Sequence, residues 1–271
     1  MGFLWSALVG AAGAVGARAV IASQDFSSWE RSSFSGKNVS LTEGLVASAG
    51  MIAGSVVAPA GVRVGALTAI GSAAAAGYID DQLEDRFPAQ GKGLRGHLGA
   101  LREGKLTSGA LKIAVIGGGA ALGTLPLPRS GSAPQRLVTW VCQSALVAGS
   151  ANLVNLLDLR PGRALKVCGI AALPLAVSGN GVASAMAGSV LATGAVCAPD
   201  DLSGKTMLGD FGANALGAGL GYAVAASPRA SVRAGVLGAV VVLTLASEKV
   251  SFSKVIEANP ALSWVDQLGR S

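Results

Sequence analysis

The sequence predicts an all-α, polytopic integral membrane protein of about nine transmembrane helices, with its N-terminus outside and its C-terminus cytoplasmic. Three observations predict it. Charged residues make up only 13% of the chain against 51% hydrophobic, with a mean hydropathy of +0.55. A soluble domain carries roughly 25% charged residues, so lipid must cover much of this surface. Apolar stretches recur along the whole length, and the charged residues between them fall in alternate connections.

A helical span needs about 20 mostly apolar residues. Nine stretches approach that, at roughly 2–23, 43–61, 64–79, 108–127, 136–156, 164–179, 182–198, 212–227 and 233–247. The first lacks a basic leading region and carries Arg18 at its far end, so it reads as a retained span rather than a cleaved signal. The outer turns are short, no long linker or low-complexity tail stands out, and residues 1–271 read as one domain. Gly is abundant, at 39 residues. Small residues let membrane helices approach closely where lipid gives no hydrophobic drive for contact. Gly117, Gly118 and Gly119, and Gly217, Gly219 and Gly221, suit that packing role better than a phosphate-cradling one.

Charge orients the helices. With the N-terminus outside, 16 of the 21 Lys and Arg residues lie in or beside cytoplasmic connections. The outer turns keep Arg63, Arg129, Arg136, Arg229 and Arg233, as the positive-inside rule requires. That rule accounts for the net charge of +6 without nucleic acid, which is not an expected partner. Every Asp and Glu also falls in a cytoplasmic connection or at its membrane edge. Cys142, Cys168 and Cys197 are odd in number, lie in apolar stretches and lack metal-ligand spacing, so they read as small buried hydrophobes.

Three polar clusters stand at the cytoplasmic ends. The first is Gly77-Tyr78-Ile79-Asp80-Asp81, followed by Glu84 and Asp85. Adjacent carboxylates repel unless they are solvated or compensated by a cation such as Mg2+. The basic, Gly-rich stretch from Gly91 to Gly99, with Lys92 and Arg95, suits an anionic phosphate, and His97 is the chain's one histidine. The second cluster is Asn152, Asn155 and Asp158, spaced three apart and so near one helical face. Binding and helix–helix hydrogen bonding explain it equally well. The third is Gly209-Asp210-Phe211-Gly212, where Asp210 is either an N-cap or a ligand. Ser203-Gly204-Lys205-Thr206 is not a P-loop, because Pro199 stands where the first Gly belongs.

In this order the clusters resemble the polyprenyl-phosphate N-acetylhexosamine-1-phosphate transferase superfamily, which includes phospho-N-acetylmuramoyl-pentapeptide transferase. Asp80-Asp81 looks like the family's aspartate pair, Asn152 to Asp158 like its Asn-x-x-Asn-x-x-Asp motif, and Gly209 to Gly212 like its Gly-Asp-x-Gly loop. Gly36 to Leu41 is a looser match to a basic substrate loop. The resemblance implies transfer of a sugar-1-phosphate from a UDP-sugar to a polyprenyl phosphate lipid at the cytoplasmic face of the cell membrane, with release of UMP. It implies Mg2+ on Asp210, catalytic Asp80 and Asp81, and substrate binding by Asn152, Asn155 and Asp158. Arg160, Arg163 and Lys254 are candidates to bind phosphate in place of missing family residues, a task Arg suits, and Lys92 of the basic Gly-rich stretch is a further candidate. A homodimer is an open option.

The chain departs from the family at three points. Pro161 stands where a further Asp would follow Asp158, the tail after Glu248 has no histidine, and a tenth span is lacking. A second reading is therefore a catalytically inactive relative that binds or scaffolds in envelope assembly. A transporter would call for mid-membrane ionisable groups or broken helices in repeated halves, and the sequence has neither.

Overall fold

The structure is a computed structural model that describes residues 2–32, 36, 38–83, 86–87 and 107–270. The protein is all-α in architecture, with eleven α-helices among the described residues. Nine form the bundle: α1 (Gly2–Ala22), α2 (Glu43–Val56), α3 (Ala60–Leu83), α4 (Ser108–Gly123), α5 (Ala133–Leu157), α6 (Arg163–Ala176), α7 (Gly181–Leu202), α8 (Gly209–Ala225) and α9 (Ala230–Ser247). Five of them, α1, α3, α5, α7 and α9, are long and apolar enough to cross a membrane, which marks a multi-pass membrane protein. The other four have only 14 to 17 residues. At 1.5 Å per residue they reach roughly 21 to 26 Å, short of a hydrocarbon core of about 30 Å.

Two features were not expected from hydropathy. A two-stranded antiparallel hairpin, β1 (Glu30–Ser32) and β2 (Asn38–Ser40), lies between α1 and α2. Two short helices, α10 (Phe252–Ala258) and α11 (Pro260–Gln267), follow α9. Neither segment is apolar enough for a span, and both were read as connection.

Local signals fix several helix starts. The Thr107 hydroxyl accepts the Ala110 N–H at 3.1 Å, and Asn180 Oδ1 accepts the N–H groups of Val182 and Ala183 at 3.0 and 2.9 Å. Each satisfies amides that a helix cannot pair within itself. At α5, Gln135 reaches back to the Ser132 N–H at 2.8 Å. Asn259 caps α11 through the Ala261 and Leu262 amides.

The centre of the bundle is α8. Every residue from Gly212 to Ala225 is buried, and α8 packs against α2, α3, α5 and α7. A helix enclosed on all sides has no polar face to give to solvent. Its Gly217 and Gly221 lie directly on the α5 backbone at Ser150–Ala151 and Leu146–Val147, with no room for a side chain. Gly219 packs against Met51, and Gly119 of α4 against Ser72. Gly117 and Gly118 face open space, so the expected packing role holds at Gly119 and not at those two. Toward the outside, α1 exposes Leu4, Trp5 and Leu8, and α9 exposes Val241, Val242 and Leu245. Such apolar surface suits lipid contact.

The helices alternate in direction, and their two ends differ in chemistry. At one end Lys112 of α4 meets Asp80 of α3, Arg18 of α1 meets Glu43 of α2, and Asp201 of α7 accepts the Gly162 N–H before α6. At the other, no ion pair forms among the described residues, and Arg129 donates instead to the Gln143 amide oxygen at 2.9 Å. The Tyr222 hydroxyl donates to the Val62 carbonyl at 3.2 Å, Gln143 to Ala225 at 3.0 Å, and Asn180 to Ala226 at 3.0 Å.

Because the Gly221 position abuts the α5 backbone, Gly221→Leu is expected to destabilise the bundle by at least about 1–3 kcal/mol, the usual cost of overpacking. Gly118→Ala should leave it unchanged. Thermal unfolding of the two detergent-purified variants beside the parent protein checks both.

Candidate functional site

Two of the candidate carboxylates meet on a lysine that belongs to none of the three motifs. Lys112 Nζ, in the first turns of α4, donates to Asp80 Oδ2 at 3.0 Å and also pairs with Asp210 Oδ2. One ammonium thus bridges the end of α3 and the start of α8. The side chains of Asp80 and Asp210 are each 24% exposed, so the cluster is open at the bundle end. In the sequence Lys112 looks like a snorkelling lysine at the edge of a span. Only its reach across to two aspartates sets it apart.

Asp81 has a different task from Asp80. Its Oδ1 accepts the Asp210 N–H at 3.1 Å and its Oδ2 the Phe211 N–H at 2.9 Å. Both amides belong to the first turn of α8, where unpaired N–H groups and the helix dipole favour an anion. Asp81 is therefore the N-cap of α8 in trans. The approach depends on two glycines. Gly77 lies against the backbone of Asp210 and Phe211, and a side chain there would strike it. Gly209 has φ +59°, a left-handed conformation that L side chains rarely adopt, and its missing side chain leaves room for the Asp81 carboxylate.

Around this core stands an aromatic group. Trp29, Tyr78 and Phe211 lie with ring centroids 5.9 to 6.3 Å apart, and Phe26 packs on Trp29 at 6.1 Å. Arg31 Nη2 donates to the Asp81 carbonyl at 2.7 Å. The hairpin is tied in turn to the segment before α8, through Ser40 N–H to Lys205 O at 3.2 Å and Met207 N–H to Ser40 O at 2.9 Å.

Asp158, just past α5, is buried, and neither of its carboxylate oxygens has a hydrogen-bond partner. It faces the Gly209 N–H at the start of α8 without a bond of ordinary geometry. Burial, and then the negative charges of Asp201 and Asp210, push its carboxyl well above the usual carboxylate range. A buried carboxylate left this way is costly unless it is protonated or meets a cation. Asn152 and Asn155 lie on the same helix, half-buried, with side-chain amides that make no hydrogen bond among the described residues.

Arg160 and Arg163 pair with carboxylates of the C-terminal helices. Arg160 Nη2 donates to Glu257 Oε1 at 3.1 Å at the surface. Arg163 is buried and bound to Asp266 of α11 by two bonds, Nε to Oδ1 at 2.8 Å and Nη2 to Oδ2 at 3.1 Å. Its Nη1 donates to Ser253 Oγ at 2.9 Å. Arg163 thus fastens the C-terminal helices to α6 and does not face the carboxylate cluster. Lys92 and His97, like Lys37, Glu84 and Asp85, lie outside the described residues.

A second ionic group flanks the site. Arg18 pairs with buried Glu43 at 2.7 Å and with Asp200 at 3.0 Å, and Thr206 Oγ1 donates to Glu43 Oε2 at 2.7 Å. Arg18, Glu43 and Asp200 stand out in the sequence only as charge bias, and Thr206 only in the rejected P-loop pattern.

Among the described residues no group of three or more His, Cys, Asp and Glu could hold a metal ion. Mg2+ usually takes only one or two protein carboxylates beside waters and substrate phosphates. The partnerless oxygens of Asp158, close to Asp210, are hard donors of the kind it takes. The residues present therefore fit a cation shared with a ligand and not an all-protein cage.

No protein-family model matches this chain, and no curated protein matches it significantly.

Two predictions follow from this geometry. Asp81→Ala leaves two first-turn amides of α8 uncapped, and it should cost about 1–2 kcal/mol in unfolding measurements. The Arg163–Asp266 latch should be sensitive to acid. Burial acts to raise the Asp266 carboxyl, but the hydrogen bonds and charge of Arg163, with Arg270 added, hold it below the usual range. The stability it contributes is present above the ordinary carboxylate pKa and is lost as pH falls through the lower folded value. Asp266→Asn should remove that acid-dependent part of the melting temperature, with Arg163→Lys weakening the latch at every pH.

Proposed function

We propose that this chain is a divergent, Mg2+-dependent phospho-sugar transferase, acting on a UDP-sugar and a polyprenyl phosphate at the cytoplasmic face of a nine-span, N-outside membrane domain. The observation that carries it is convergence. Asp80–Asp81, Asp158 and Asp210 are widely separated in sequence, yet they gather at the bundle end where α3, α5 and α8 meet. The motif resemblance requires that gathering, and composition alone does not.

In this reading an oxygen of the polyprenyl phosphate attacks the β-phosphorus of the UDP-sugar. A new P–O–P linkage forms, the bond between the α- and β-phosphates breaks, and UMP leaves with the electron pair. Bound Mg2+, held by Asp210 and Asp158, would neutralise the pyrophosphate and stabilise the departing UMP. Lys112 supplies a second positive charge beside Asp80 and Asp210, suited to the incoming phosphate. Asp80 is the carboxylate in position to orient that phosphate or take its proton. Asp81 acts by holding the first turn of α8, and with it Asp210, in place. Asn152 and Asn155, with free amides, face the nucleotide side. Arg160 and Arg163 serve the C-terminal helices through Glu257 and Asp266.

One observation favours the second reading, a non-catalytic binding protein. Lys112 pairs with both Asp80 and Asp210 and offsets one of their two charges from within the chain. The two readings part on one assay. Purified protein with undecaprenyl phosphate, Mg2+ and a panel of UDP-sugars should release UMP, chelation should stop it, and Asp210→Asn should slow it by roughly 100-fold or more. No UMP from any UDP-sugar, together with an Asp210→Asn variant that still supports the cellular phenotype, would leave only the binding protein.

A further inference from the structure

We propose that an apolar cavity beside α9 is a binding site for an anionic membrane phospholipid, with one acyl chain inside and the head group on Arg229. The cavity, about 930 Å³, lies among α5, α6, α7, α8 and α9. It exists because α9 packs on α5 and only lightly on α8, and Val240 is its buried residue. The crossing is tight at Gly149, where Val240 leaves little room, and α9 then stands away from α6.

The walls are apolar along their length, with Leu153, Val167, Leu175, Leu220, Val236 and Leu243 among them. From Arg229 to Leu243 along α9 is about 20 Å at the helical rise, at least one leaflet of a hydrocarbon core about 30 Å thick. An apolar space of that length, open along one side of α9, fits a chain rather than a compact solute.

Apart from Ser150 on α5, the polar residues gather at one rim, away from the carboxylate cluster. Ser178, Asn180, Ser227 and Arg229 line the cavity there, in the connections α6–α7 and α8–α9. Asn180 is committed to the Ala226 carbonyl and to the first amides of α7, and Ser227 O accepts from Arg233. Arg229 is exposed, and its guanidinium has no hydrogen bond or ion pair among the described residues. It is also the N-cap of α9, where it gives no side-chain acceptor to the first amides. No Asp or Glu lies in the 167–199 or 211–247 stretches that form this rim, so nothing opposes an anion. A phosphodiester head would meet one guanidinium and one uncapped helix start while its chain fills the cavity. The proposal does not rest on the transferase reading, because its head-group residues lie at the far end of the bundle; only the inner end of the cavity, at Leu153 and Leu157, approaches Asn155 and Asp158.

The test uses native mass spectrometry of the full chain, delipidated in detergent and offered phosphatidylglycerol or phosphatidylcholine. The wild type should retain phosphatidylglycerol about fivefold better, as one basic side chain at a membrane surface warrants. Arg229→Gln should bring the two lipids to parity. Ala239→Trp, at an exposed position on the cavity wall, should lower retention of both. Equal retention of the two lipids by the wild type, or undiminished phosphatidylglycerol on Ala239→Trp, overturns the proposal. So does undecaprenyl phosphate outcompeting phosphatidylglycerol equally in the wild type and in Arg229→Gln, since the cavity would then serve the isoprenoid.

Discussion

A helix enclosed on every side can be tolerated only if its ends are satisfied by something other than water. In this protein α8 is that helix, and the Asp81 carboxylate on the Asp210 and Phe211 amides is what satisfies its start. The contact requires α3 and α8 to approach at backbone distance, which Gly77 and Gly209 allow. It also sets the height of Asp210 relative to Asp80, and so the place where Lys112 can bridge them. Packing and chemistry here are one arrangement. The glycines that close the bundle bring the carboxylates together.

The same constraint explains the division of labour within the aspartate pair. Neighbours on a helix point in different directions, so Asp80 and Asp81 cannot do the same thing. Asp81 turns inward to the α8 amides, whose dipole favours a negative charge. Asp80 turns to Lys112. A pair that reads in sequence as one repulsive unit is, in the fold, one structural anion and one anion beside a cation. The Arg163–Asp266 pair shows the complementary case. An arginine that looks like a phosphate binder from its neighbourhood is consumed by a buried, two-bonded carboxylate more than a hundred residues away.

How much of this was legible beforehand can be argued from single elements. The nine bundle helices fall where the apolar stretches predict them, because a segment shielded from water must be apolar and must satisfy its own backbone. Their lengths were less legible. α2 and α6 stop at Val56 and Ala176, since apolar composition continues past the point where the backbone turns. The hairpin at 30–40 and the helices after α9 carry no apolar period and were missed. In the site, Asp80, Asp81, Asp158 and Asp210 were visible because carboxylates are rare in so apolar a chain. Lys112 was not, because a lysine at the edge of a span is ordinary.

Composition and order of residues were enough to determine that this is an all-α, multi-pass membrane protein with its acids at one set of helix ends. The bilayer acts on each segment independently, so the signal is local and additive. Which carboxylate caps a helix, which meets a lysine, which is left buried without a partner, and which arginine is already spoken for were decided by tertiary structure. Those outcomes depend on approaches of a few ångströms between segments tens to a hundred residues apart, and no local pattern encodes such distances.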